Sequence, residues 1–231
     1  MCREIKAVIH KESPAGTYFF VLVPHESLTD EVNKLYDLDG TLKGELRIDD
    51  GRRITADQRK KAYATLGDIA DHLGYMPEDL KEIMKYRFIV ATGEKYFSLS
   101  DCSVTTARYF INHLIDFALE WRVPLMDSIV NRTDDIDAAL YSAIMHRRCA
   151  VCGNDGEMHH SDAIGMGHDR RTFDDRNYRK ICLCRIHHTE AHTIGNKAFE
   201  ERYAVYGIIV KEDGNGTETG QLRQYQAPVM G

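Results

Sequence analysis

The chain has 231 residues, 43% of them hydrophobic, and a net charge of -6. This length and composition allow one or two domains with a real core, and the acidic balance argues against a simple polyanion binder unless basic residues cluster locally. No apolar run of about 18 residues is present, so no membrane-spanning helix is expected. The first residues, MCREIKAVIHKESPAG, lack the apolar stretch of a signal peptide, so a cytoplasmic location is expected. Residues 1–48 read as strands. TYFFVLVP (17–24) is β-branched and aromatic, TLKGELRI (41–48) alternates, and Pro24 and the Asp/Gly cluster at 37–40 punctuate them. A helix follows, opened by Thr55 with Gln58 three residues on, a capping box. Ala62, Leu66, Ile69 and Leu73 keep helical spacing, and Gly74 ends the run. A shorter helix starts at Pro77. A long one covers 104–121, with Ala107, Phe110, Ile111, Leu114, Ile115 and Ala118 on one face. Another spans 134–147, with Asp134, Asp135 and Asp137 where the helix dipole favours acid. The end of the chain, from 209 to 231, is polar and glycine-rich and reads as a flexible tail.

Between the last helix and the tail, the stretch from Cys149 to His192 holds four of the six cysteines together with His159, His160, His168, His187, His188 and His192. A cytoplasmic chain keeps its thiols reduced, so this clustering reads as metal binding rather than disulfides. Cys149-Ala-Val-Cys152-Gly153 is a knuckle, and Cys184-Arg-Ile-His187 repeats its spacing. Together they make a Cys3His zinc site, closed and therefore structural. Cys182 has the wrong spacing to His187 and is left out. His188 and His192, at i and i+4, point from one helix face, whereas His187 points about 100° round toward the other ion. With His159 they offer three imidazoles and leave coordination positions open, the pattern of a catalytic ion. Next to His159 on a strand, His160 points to the opposite side, and an imidazole there suits proton transfer from water. A zinc knuckle that only holds a fold or binds a partner needs the four Cys3His ligands but has no use for the other histidines.

The run CAVCG…MHHSDAIGMG…ICLCRIHHTEAH resembles the HNH endonucleases over about residues 145–205. That resemblance implies a ββα-metal fold, with a hairpin carrying the histidine pair and a helix carrying the later ligands. It implies His160 as general base and His159, His188 and His192 as ligands of Mg2+, Mn2+, Zn2+ or Ni2+. The central asparagine of the motif would fall at Arg179; the nearest asparagine, Asn177, is the candidate to orient the base. Arg170 and Arg171, in the loop with His168, are candidate phosphate contacts, or a solvated charged loop.

Five basic residues stand between Arg52 and Lys61 against one acid, Asp57. Such a cap tracks phosphates by counterion release, or is a solvated helix face. The sequence from RRITADQRKKAYATLGDI to SLSDCSVTTARYFINHLIDFALEWRV is similar to the phage Orf/NinB recombination proteins over about residues 40–123. That similarity implies single-stranded DNA binding, single-strand-binding protein as a partner and a homodimer, with Arg53, Gln58, Arg59 and Lys60 as DNA contacts beside Arg52 of the basic cap.

The reading is an α+β chain of phage type. Residues 1–128 form a mixed strand and helix DNA-binding domain, residues 129–208 an HNH nuclease domain with structural zinc, and 209–231 the tail. It would cut single-stranded or branched DNA during recombination. The alternative is a recombination mediator whose zinc module does not cut. A free-standing homing nuclease is a third reading, which cleavage of plain duplex at one long site would favour.

Overall fold

The computed structural model describes residues 6–13, 16–22, 51–162 and 176–210. The chain divides into two compact units, 1–48 and 49–231. In the first, β1 (Lys6–Ser13) and β2 (Gly16–Leu22) form an antiparallel ladder with Ser13 opposite Gly16, interrupted by an irregularity between Ile9 and Lys11. The strand expected over 17–24 is β2. The one expected over 41–48 lies outside the described residues, as does the tail beyond 210.

The second unit begins with α1 (Ala56–Leu73), and its sequence signals act as they read. Thr55 accepts from the Gln58 backbone, the Gln58 side chain accepts from the Thr55 N–H, and Gly74 closes the helix at φ 74°. That left-handed turn is cheap only for glycine. Next come α2 (Pro77–Thr92) and α3 (Val104–Glu120). The predicted apolar face of α3 is buried, and so are Tyr109, Asn112, His113, Phe117 and Leu119. The helix is covered on more than one side because α1, α2 and α5 (Ile136–Met145) all pack on it. Phe88, Phe97 and Phe110 meet edge to face there, with centroids 5.2 to 5.6 Å apart, a geometry worth about 0.5–1.5 kcal/mol per pair beyond area burial. A single turn, α4 (Ile129–Arg132), connects α3 to α5, which Asp135 caps and which begins two residues later than the sequence suggested.

β3 (Glu157–His160) and β4 (Arg179–Leu183) form an antiparallel pair, followed by α6 (Arg185–Ile194), α7 (Asn196–Tyr203) and β5 (Ile208–Ile209), which adds a third strand beside β4. The ββα arrangement implied by the resemblance is therefore present. The divide expected after residue 128 falls inside this unit. α5 packs on β4 and β5, and one set of buried residues continues from Ile54 to Val205, taking in Cys149, Ala150, Ile181, Leu183 and Ala191. None of the described helices is long and apolar enough to cross a membrane.

One ion pair ties α1 to α4. Arg132 donates to Asp68 at 2.8 Å, with the two side chains only 9% and 10% exposed, and Asp68 also accepts from the Met126 N–H. Asp68→Ala leaves a buried guanidinium without its carboxylate and should cost about 3–5 kcal/mol in urea unfolding. A loss under about 1 kcal/mol would show the pair to be screened like a surface one.

Candidate metal centre

The knuckle is built by backbone turns. Cys149 N–H donates to the Asn154 carbonyl at 2.7 Å, and Gly153 N–H returns to the Cys149 carbonyl at 2.8 Å. Gly153 sits at φ 71°, the conformation that makes glycine suitable after the second cysteine. Cys184 occupies the N-cap position of α6 and His187 its first turn. Among the described residues, Cys149, Cys152, Cys184 and His187 form one group whose donor atoms all lie within 4.8 Å of one another. Cys152 Sγ is 3.7 Å from Cys184 Sγ, and His187 Nδ1 is 3.4 Å from Cys149 Sγ and 3.2 Å from Cys184 Sγ. A tetrahedron with zinc–sulfur arms of about 2.3 Å has edges of about 3.8 Å, slightly shorter toward nitrogen. The donor set and its spacing fit zinc.

The acid–base balance agrees with this. Burial pushes the Cys149 thiol up to about 12, so a thiolate there needs a cation beside it. Burial also acts on Cys184, but hydrogen bonds from the His187 backbone and the Cys152 thiol outweigh it and hold Cys184 below the usual thiol range. Cys182 stays outside the group. It is a core thiol in β4, pushed up to about 11 by burial. Gly156 packs so tightly on it that a Cβ there would stand 2.7 Å from its sulfur.

The second group is His159, His188 and His192. β3 pairs with β4 so that Glu157 faces Leu183 and His159 faces Ile181. Strand alternation puts Glu157 and His159 on one side, toward α6. The His159 ring stands edge-on to His188 and His192, with centroids at 4.8 and 5.0 Å. His188 Nε2 and His192 Nε2 are 3.1 Å apart, the separation of two ligands on arms of about 2.0–2.1 Å. On the far side of the His188 ring, Nδ1 donates to Glu157 Oε1 at 2.6 Å, a bond that fixes the tautomer and turns Nε2 toward the shared point. That bond and the nearby Arg185 hold the Glu157 carboxyl below its ordinary range. Burial lowers His159, only partly opposed by its hydrogen bond to Asn196, and favours the neutral ring a metal requires.

His160, half-buried, closes β3 opposite Lys180. Just beyond it, Asp162 takes two bonds from the Arg179 guanidinium, at 2.9 and 2.7 Å, and a third from the Arg179 N–H at 2.8 Å. Asn177 is exposed in the turn before β4. Arg170, Arg171 and His168 lie outside the described residues.

The residues of the basic cap have distinct placements. Gln58 is 2% exposed and donates to the Val104 carbonyl and Asp134, so it offers no surface to DNA. Arg59 donates to the Leu99 and Ser100 carbonyls, and Arg53 to the Asp101 carbonyl. Arg52 and Lys60 are exposed. Two site residues were missed from sequence. Glu157 carries a weak signal, being two positions before His159 on the same strand face. Asn196 continues the four-residue spacing of His188 and His192 past the end of α6, which a search confined to Cys, His and acids passes over.

The shared core sharpens one expectation. Because Cys149 and Ala150 belong to the same buried set as the helices, Cys184→Ser should lower the melting of the whole second unit, beyond the ββα segment alone. Elemental analysis of purified protein should find about one tightly held zinc per chain, by the donor-set argument, and the variant should lose it. Well-folded protein without zinc, or a variant that melts like wild type, would overturn the structural assignment.

Comparison with curated proteins and with solved structures returns no match. Residues 27–217 match the family described as "Putative HNHc nuclease". The match spans most of the chain, covering the helices as well as the Cys/His region, so the chain belongs to this HNH nuclease family.

Proposed function

We propose that the chain is a metal-dependent DNA endonuclease that hydrolyses phosphodiester bonds. The observation that carries this reading is the convergence of His159, His188 and His192 beside a separate four-ligand knuckle. A module that only held a fold would need the knuckle and no second trio. Mg2+, Mn2+, Ni2+ or Zn2+ suits three imidazoles with open positions. When bound there, such an ion supplies stabilisation for the charge that develops on the phosphate and the leaving 3′ oxygen. His160 acts as general base. Its ring nitrogen takes a proton from water as the water oxygen bonds to phosphorus and the bond from phosphorus to the 3′ oxygen breaks. Asp162, two residues on, is bound by the Arg179 guanidinium and backbone N–H.

Within this reading the substrate is single-stranded or branched DNA in phage recombination, met in the cytoplasm. Single-strand-binding protein and a second copy of the chain are the expected partners. Arg52 and Lys60 at the start of α1, together with Arg170 and Arg171, supply phosphate contacts. Arg53 and Arg59 bond to carbonyls of the 99–101 turn and position that surface. Replacing Arg52 and Lys60 together by Ala should flatten the salt dependence of single-strand binding by roughly 1.4 in log–log slope, about 0.7 per phosphate contact. An unchanged slope would show the cap to be a solvated face.

The deciding experiment compares two variants after metal stripping and reloading. His160→Ala should keep zinc and DNA binding yet lose roughly 10²–10⁴-fold in cleavage, the usual worth of a general base. His188→Ala should lose cleavage through weaker binding of the added ion, so excess metal should partly restore it and leave His160→Ala unrestored. If wild type cuts no single-stranded, branched or duplex DNA with any of the four ions, the nuclease reading fails and a non-cleaving mediator replaces it.

A further inference from the structure

Asn196, the first residue of α7, is clamped between two points on the far side of the metal centre. Its Nδ2 donates to the Ser161 carbonyl at 2.6 Å, and its Oδ1 faces His159 Nε2 at 3.0 Å. A carbonyl oxygen only accepts, so the amide nitrogen must face Ser161 and the amide oxygen must face the ring. An amide oxygen also only accepts, so His159 Nε2 must carry a hydrogen. In a neutral imidazole this leaves Nδ1 with the lone pair. One backbone carbonyl thus selects, through one side chain, which nitrogen of a metal ligand is available.

The same contact constrains His160. Ser161 N–H donates to the Arg179 carbonyl at 2.9 Å, and its own carbonyl is held by Asn196. His160 therefore lies between a ring tied to Asn196 and a residue whose backbone is tied to Asn196 and to β4. Gly207 packs against Ser161 so closely that a Cβ there would collide with its side chain, leaving this stretch little room to shift. We infer that Asn196 is the positioning residue of the His159–His160 pair: it selects the His159 tautomer whose Nδ1 receives the metal ion, and it pins the chain just after His160. This is the orienting role for which the HNH resemblance nominated Asn177. The metal-binding half of the inference rests on the nuclease reading, and the tautomer half stands on the hydrogen bonds alone.

The test uses full-length, zinc-loaded protein without added second metal. Long-range proton–nitrogen correlation spectra at mildly alkaline pH report the His159 tautomer. Wild type should show hydrogen on Nε2. Asn196→Ala should lose that single tautomer. Asn196→Asp keeps an oxygen toward the ring and should retain it, and Asn177→Ala should leave it as in wild type. Calorimetric titration with Mn2+ should then find affinity reduced about 10–100-fold in Asn196→Ala, the usual cost of losing such a partner, and partly recovered in Asn196→Asp. Hydrogen on Nδ1 in wild type, or an unaltered tautomer in Asn196→Ala, overturns the inference even if the protein cuts DNA. Wild type that binds none of Mg2+, Mn2+, Ni2+ or Zn2+ beyond the first zinc removes the nuclease reading and the metal half of this inference, while the spectra still decide the rest. Should Asn196→Ala fail to fold, the wild-type tautomer and Asn196→Asp suffice.

Discussion

The metal chemistry depends on the rotation of one ten-residue helix, α6. Consecutive residues on a helix point about 100° apart, and His187 and His188 use that angle to join two different donor groups. A small rotation would misdirect both at once. Several contacts oppose it. Cys184 and His187 lock the first turn to the knuckle, Ala191 is buried beneath the last, and Glu157 holds His188 from the strand side. The His187 ring packs edge-on to Tyr203 at 5.2 Å and to Phe199 at 6.4 Å, both on α7. Zinc held by the knuckle would therefore bear on chemistry it does not perform, by fixing the angle at which the next residue presents its imidazole.

Features that depended on neighbours in sequence were legible. The Thr55–Gln58 box, the glycine stop at Gly74, both halves of the knuckle and the i, i+4 histidines are short-range patterns whose geometry follows from the helix or the turn itself. Features that depended on neighbours in space were not. Gln58 shows the difference. The Orf/NinB resemblance made it a candidate DNA contact, yet the capping geometry turns it inward, where Asp134, 76 residues later, completes its hydrogen bonds. Arg59 likewise spends its donors on carbonyls some 40 residues away. No local pattern marks such partners. The extent of burial on α3 was hidden for the same reason, because its single apolar stripe does not report how many other helices pack on it.

The continuous core changes how the two halves relate. A zinc-dependent module on a linker would gain or lose its metal without consequence for the rest of the chain. Here α5 packs on both α3 and β4, and Cys149 and Ala150 are buried among residues contributed by the helices. Metal binding is then part of the folding energy of the whole second unit. The helical segment in turn acts as the wall against which β4 and the start of the knuckle are set, so a change deep in α3 or α5 reaches the metal centre through packing alone.

The histidine centre itself is arranged in two layers of different rigidity. His188 and His192 share a helix, and His188 bonds to a carboxylate, Glu157, which is exposed. His159 is on a strand, 3% exposed, with an amide partner on yet another element. An ion drawn to this site meets one exposed ligand, His192, one half-buried ligand, His188, and one buried ligand, His159. The buried ligand sits next to the proposed base and therefore has to be the accurately placed one, since a shift of His159 would carry His160 with it. A neutral amide serves that position better than a second carboxylate. It orients the ring through a hydrogen bond without adding negative charge beside a group that must receive a proton and approach a phosphate. The exposed Glu157 bonds His188 instead, where solvent screens its charge.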